Sequence, residues 1–155
     1  MNHDIYISLG SNLGNRKAYL QQAIEGIAMR VGTIVDIAPI YETPSWGFAG
    51  EAFLNTCLLC KSFLSPEEVL SQLLQIEHEL GRERVPNQKG YQSRTIDLDI
   101  LFYDDEVINS ELLTIPHPLL HRRKFVLRPL AALDEQKVHP ILQKTIGELL
   151  RTTDD

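Results

Sequence analysis

The stretch Thr95-Ile96-Asp97-Leu98-Asp99-Ile100-Leu101 constrains the fold more than any other part of the chain. Side chains alternate across a strand, so Ile96, Leu98 and Ile100 share one face and Asp97 and Asp99 share the other. One face asks to be packed, and the opposite face carries two carboxylates. A strand of this kind fits a sheet with helices on its apolar side and polar chemistry on the other.

The rest of the pattern supplies those helices. His3 to Leu9 alternates and is rich in β-formers, which predicts a first strand. Gly10 to Asn15 is a turn-rich loop with Asn15 as N-cap. Leu20, Ala23, Ile24, Ile27, Ala28 and Val31 then fall on one helical face, and Gly32 is expected to stop that helix. Thr33 to Ile40 predicts a second strand, Glu42 to Glu51 a loop, and Ala52 to Phe63 a third strand. Ser65-Pro66-Glu67-Glu68 has the form of a capping box with proline at the first helical position, opening a helix to Leu80 that ends at Gly81. Arg82 to Arg94 is polar and reads as a mobile loop. Thr95 to Tyr103 is the fourth strand. The order βαββαβ predicts an α+β fold with a ferredoxin-like core, an antiparallel sheet with two helices on one face. A less regular C-terminal extension follows: a short Val107-Ile108 strand, the Ile115-Pro116-His117-Pro118 segment, an apolar run from Phe125 and a final helix near Thr145 to Leu150. Residues 1–155 are expected to form a single domain.

A formal net charge of −6 argues against a nucleic-acid partner, which calls for a basic face. The early apolar run Ile5 to Leu9 is too short for a signal peptide or a spanning helix, so no membrane is expected and the cytoplasm is the default. Cys57 and Cys60 form a CxxC, but they lie in a predicted strand. Positions three apart there point to opposite faces, which rules out a shared metal or a disulfide.

Asp97 and Asp99 lie about 7 Å apart along a rigid strand, where each can reach one of two hard cations about 4 Å apart. Aspartate is depleted in strands, so a pair of them needs a reason. Glu77 falls on the apolar stripe of Leu70, Leu73 and Leu74, in the last turn where the helix dipole disfavours an anion. It reads either as a rim residue paired with a cation or as an acceptor for a ligand amine or hydroxyl. Arg82, Arg84, Arg94, Arg122 and Arg123 supply forks for phosphate oxygens. Gly10 to Gly14 lacks the lysine and spacing of a phosphate-cradling P-loop, so side chains and metal must do that work. Phe53 and Asn55 share a strand face and suit a flat heterocycle, through stacking and edge hydrogen bonds. The loop Thr43-Pro44-Ser45-Trp46-Gly47 can add backbone donors and acceptors, and His117 can donate to a phosphate or cap a turn.

In this order the pieces GSNLGN, YETPSWG, FLN, IEHELGRER, SRTIDLDILFYD, LTIPHP and RRKFVLRPL resemble the 6-hydroxymethyl-7,8-dihydropterin pyrophosphokinases of folate synthesis. The resemblance spans nearly the whole chain, and RTIDLDI is its most specific part. It implies two Mg²⁺ ions on Asp97 and Asp99, and ATP contacts at Glu77, Arg84, Tyr91, Arg94, Ile100, Thr114, His117 and Arg123. It also implies a pterin pocket of Thr43, Pro44, Trp46, Phe53, Asn55, Asp97 and Phe125, with the ring stacked between the two phenylalanines. Arg82 and Arg94 resemble the loop arginines that assist transfer, which makes them catalytic candidates beside Asp97 and Asp99. The stretch Lys89-Gly90-Tyr91-Gln92-Ser93-Arg94 departs from the pattern, with Tyr91 where many members carry a tryptophan; Phe53 stands where tyrosine is common. The implied reaction is attack of the pterin hydroxymethyl oxygen on the β-phosphorus of ATP, with AMP leaving and the loop 82–94 closing over both small-molecule substrates. Two rivals remain at this stage. A metal-dependent phosphatase or nuclease would use the aspartates without a heterocycle pocket, and a ligand-sensing ferredoxin-like module would need neither the aspartates nor the arginines.

Overall fold

The computed structural model describes residues 2–43, 52–81 and 95–154. The core follows the expected order. Strand β1 (His3–Ser11) leads to helix α1 (Arg16–Arg30), then β2 (Thr33–Ile37), β3 (Tyr41–Thr43) and β4 (Phe53–Ser62), helix α2 (Pro66–Glu79) and β5 (Asp97–Tyr103). The sheet runs β2-β4-β1-β5, all pairs antiparallel, and β3 extends the β2 side of β4. This is the ferredoxin-like arrangement, with β1 central and β5 at an edge.

The strand expected from Thr33 to Ile40 ends at Ile37, and a short strand, Tyr41–Thr43, forms at the start of the segment expected to be a loop from Glu42; Pro39 gives the reason for the break. Proline has no N–H to place in a ladder. At the break Ala38 is held by its neighbours, its N–H donating to Cys57 O at 2.9 Å and its carbonyl accepting from Thr56 Oγ1 at 2.8 Å.

Both helix starts form as the sequence predicts. Asn15 accepts from Ala18 N, and Ser65 and Glu68 form a reciprocal capping box with Pro66 at the first turn. Gly81 ends α2 with φ at +88°, the left-handed conformation that favours glycine. Gly32 is required for a different reason, close approach: a Cβ there would sit 2.1 Å from Lys61 O.

Helices α1 and α2 cover one face of the sheet, where Leu20, Ala23, Ile27, Val69, Leu73 and Ile76 pack against Ile5, Ile7, Leu9, Leu58, Leu98 and Ile100. The other face has its own cover. After β6 (Ile108–Asn109), β7 (Thr114–Ile115) and a 3-10 turn (Leu120–Arg122), the apolar run from Phe125 forms helix α3 (Lys124–Asp134), followed by α4 (Ile146–Thr152). Val126, Leu127, Leu130, Ile146 and Leu149 pack there on Tyr6, Cys57, Leu101 and Phe102. The sheet is therefore sandwiched, and α3 forms despite Pro129 inside it, a residue that removes one backbone bond from a helix. Cys57 and Cys60 do point to opposite faces, one in each cluster. Burial pushes both thiols up, Cys60 to about 11, so neither is a ready thiolate.

Between β1 and β5 the register slips. Tyr6 pairs with Phe102 but Ile7 pairs with Ile100, leaving Leu101 as a bulge. Bulges of this kind re-aim side chains beside active sites. Here Leu101 and Phe102 both serve the α3 face, while Tyr103 returns to the α1–α2 core. Among the described residues no helix is long and apolar enough to cross a membrane.

Candidate active site

A cleft of about 680 Å³, open to solvent on one side, lies between the sheet and the start of α3. Its floor is the α3-facing surface of four strands. Thr43 comes from β3, Phe53 and Asn55 from β4, Ser8 and Gly10 from β1, and Asp97 and Asp99 from β5. Its wall is His117, Arg123, Phe125 and Val126. Period-two alternation puts each floor residue there, as the sequence predicts for Asp97 with Asp99 and for Phe53 with Asn55.

The two halves of the cleft differ. At one end Asp97 and Asp99 are half-buried beside His117 and Arg123. Their partners across the β1–β5 ladder are Gly10 and Ser8, two small residues that leave space above the acids. At the other end Phe53 and Phe125 bring aromatic surface, and the Asn55 amide donates to Thr43 Oγ1 at 2.8 Å. The Arg123 guanidinium lies 5.5 Å from the centre of the Phe125 ring, where it joins the charged and the aromatic halves.

His117 is neutral in this setting. Burial, and secondarily the Arg123 charge, push its imidazolium down to about 4, against an opposing pull from Asp97. Its Nδ1 accepts from Leu119 N at 3.2 Å, so the neutral ring carries its proton on Nε2. Both expected roles are therefore compatible, since one nitrogen caps a turn and the other is a donor.

Glu77 is 2% exposed, and its Oε2 accepts from Leu98 N at 2.8 Å. It fastens the outer edge of β5 at the residue between the two aspartates. By strand alternation, the backbone N–H and C=O of Ile100 face that same outer edge. Thr114 is exposed at the head of β7, which packs against β5. Arg122 is exposed, while Arg123 is half-buried in the cleft. Pro44, Trp46, Arg82, Arg84, Tyr91 and Arg94 lie outside the described residues.

Sequence reading alone does not single out Ser8, Gly10 or the bulged Leu101. The first two were legible in principle: Ser8-Leu9-Gly10 ends the first strand with small residues on one face, where a ligand or backbone comes close.

A strand-borne acid pair facing an arginine and a neutral histidine, joined to an aromatic and amide-lined slot on a ferredoxin-like sheet, has the make-up of a small-molecule enzyme site. The family model described as 7,8-dihydro-6-hydroxymethylpterin-pyrophosphokinase matches residues 6–135, and the chain belongs to that family. A relative from Aquifex aeolicus (strain VF5), named 2-amino-4-hydroxy-6-hydroxymethyldihydropteridine pyrophosphokinase, is 39% identical over 145 residues, covering 93% of this chain and 88% of the relative. The folic acid synthesis protein fol1 of Pneumocystis carinii is 43% identical over 147 residues, which is 94% of this chain but 20% of that longer protein. Among solved structures, wild-type Plasmodium falciparum HPPK-DHPS with pteroate superposes with a TM-score of 0.77 at 16% identity, covering 97% of this chain and 42% of that one. At that identity the likeness speaks for the fold alone.

Proposed function

We propose that the chain transfers the diphosphate of ATP to the hydroxymethyl group of 6-hydroxymethyl-7,8-dihydropterin, releasing AMP, as a step of folate biosynthesis. The observation that carries this reading is the joining of an acid pair and an aromatic, amide-lined slot in one cleft, within a chain of the pyrophosphokinase family.

Asp97 and Asp99 hold two Mg²⁺ ions in this reading. The donor set fits: two carboxylates on one strand face are hard oxygen ligands, with no thiolate beside them to favour a softer metal. When bound, the ions supply positive charge to the phosphate oxygens of ATP. The chain's own groups do the rest. Arg123 and the His117 Nε2–H face the phosphates, Glu77 holds β5 in place, and the Ile100 backbone and Thr114 offer the outer edge of the sheet to the nucleotide. Arg82, Arg84, Tyr91 and Arg94 complete the nucleotide side, with Arg82 and Arg94 assisting transfer. Phe53 and Phe125 stack on the pterin, and Asn55, with the Thr43-Pro44 backbone and Trp46, reads its edge. The hydroxymethyl oxygen is held in line with the β-phosphorus; a bond forms between them as the bond from that phosphorus to the oxygen bridging the α-phosphate breaks. AMP leaves with the bond's electrons, and the hydroxyl proton passes to solvent water. Catalysis here is mainly positioning and charge complementarity.

Mixing the protein with Mg²⁺, ATP and the reduced hydroxymethylpterin should produce AMP in step with pterin consumption. Release of inorganic phosphate from ATP without pterin would favour a hydrolase built on the same acid pair. Phe125→Ala should weaken pterin binding by about tenfold and leave ATP binding nearly unchanged, since it removes one stacking partner together with its buried area. Calorimetry on each ligand separately decides this: equal losses for both would make Phe125 a general packing residue.

A further inference from the structure

Asn55 is a buried amide, 6% exposed, on the floor of the cleft. Its neighbours across the strands are Gly10 on β1 and Tyr41 on β3. The terminal torsion of an asparagine side chain is broad, so packing on the Cβ does not fix the plane of the amide. Two features of this site do. The Thr43 hydroxyl, two pairs further along β3 and therefore on the same face, accepts from Asn55 Nδ2 at 2.8 Å. The Asn55 carbonyl oxygen lies over Gly10, where a Cβ would come within 3.1 Å of it.

The remaining hydrogen-bonding capacity follows by counting. A primary amide has two donors and one acceptor oxygen. Thr43 takes one donor, so the amide offers the cleft one N–H beside one C=O. That pair complements a ring edge carrying an acceptor next to a donor, the pattern of a cyclic lactam. An amide free to turn about its terminal torsion would offer this pair only part of the time.

We infer that Thr43 is a positioning residue for substrate recognition: its hydroxyl locks the Asn55 amide in plane above the Cβ-free Gly10, so that the cleft selects heterocycles with a lactam edge. The inference rests on the reading of this end of the cleft as the pterin pocket. Thr43 acts through Asn55, in addition to any contact its backbone makes.

The test is calorimetric binding of 6-hydroxymethyl-7,8-dihydropterin, with Mg²⁺ and a non-hydrolysable ATP analogue present throughout. Thr43→Val keeps the β-branched shape and removes the hydroxyl; it should weaken pterin binding about fivefold, the scale of one net hydrogen bond. Thr43→Ser restores the hydroxyl and should bind within about twofold of the parent. Gly10→Ala pushes on the Asn55 oxygen and should reproduce the loss. In an Asn55→Ala background, Thr43→Val should cause no further loss, because the group it orients is gone. Affinity for the ATP analogue should be the same in the Thr43 and Asn55 variants. Thr43→Val binding pterin as the parent does, or weakening it equally with and without Asn55, would overturn the inference. If the folded parent itself bound no pterin while still binding the ATP analogue, the pocket reading would fail, and the inference with it.

Discussion

Asp97→Asn and Asp99→Asn are each expected to lower diphosphate transfer by roughly a thousandfold or more, the scale of losing a principal electrostatic stabiliser of a transition state. The two carboxylates share the cleft face of β5, where their β1 partners are the small residues Gly10 and Ser8. Asparagine keeps the shape and one oxygen but removes the charge that a hard divalent cation needs. The backbone of β5 is held independently of these side chains, by its ladder to β1 and by Glu77. Unfolding stability should therefore stay within about 1 kcal/mol of the parent, the size of a charge–charge interaction in a partly solvated pair. Three measurements check this: AMP formation at saturating Mg²⁺, chemical denaturation, and Mn²⁺ binding followed by its paramagnetic resonance. Near-normal turnover of either variant would mean that the acid pair is not the metal site.

How far the sequence carries the reader depends on whether a signal is local. Asn15, Ser65 and Pro66 set helix starts through bonds within one turn, and they behave as their residue types dictate. The alternation of Thr95 to Leu101 fixes which residues meet the helices and which meet the cleft, because a strand has only two faces. The acid pair and the Phe53–Asn55 pair were legible for the same reason. Non-local contacts were not. Gly32 looks like a helix stop, yet its constraint is the Lys61 carbonyl on a different strand. The run from Phe125 hides a helix because Pro129 argues against one, and only burial against Tyr6 and Phe102 outweighs that. The slip that leaves Leu101 as a bulge has no sequence mark at all, since it is a property of two strands together. In the cleft, the bond between Thr43 and Asn55 joins residues on separate strands, and a period rule places each without showing that they touch.

Glu77 is the case where the sequence posed the question and only the structure could answer it. A glutamate on the apolar stripe of α2, in the turn where the helix dipole opposes it, should be costly. In the structure its Oε2 accepts the Leu98 N–H at 2.8 Å, at a depth where Glu77 is 2% exposed. Leu98 lies on an edge strand, so no further strand takes that amide; the carboxylate does. Glu77→Leu keeps the volume and removes the acceptor, leaving a buried N–H without a partner at a cost of about 2 kcal/mol. For a chain of this length that lowers the melting temperature by about 4–8 °C. Glu77→Gln keeps an oxygen acceptor and should lose less than half as much. The functional consequence follows from where Leu98 sits, between the two aspartates. Loosening its amide lets β5 fray at the point where both carboxylates must hold their spacing, so transfer should fall in Glu77→Leu even at temperatures where it is fully folded. Hydrogen exchange at the single Leu98 amide separates this local effect from a general loss of stability. In the parent that amide should be among the slowest of β5; in Glu77→Leu it should exchange at least about tenfold faster while the Ile7 and Leu9 amides of β1, which face β4, stay protected. Equal acceleration across β1 and β5 would mean that Glu77 stabilises the fold as a whole and has no particular hold on the metal-bearing strand.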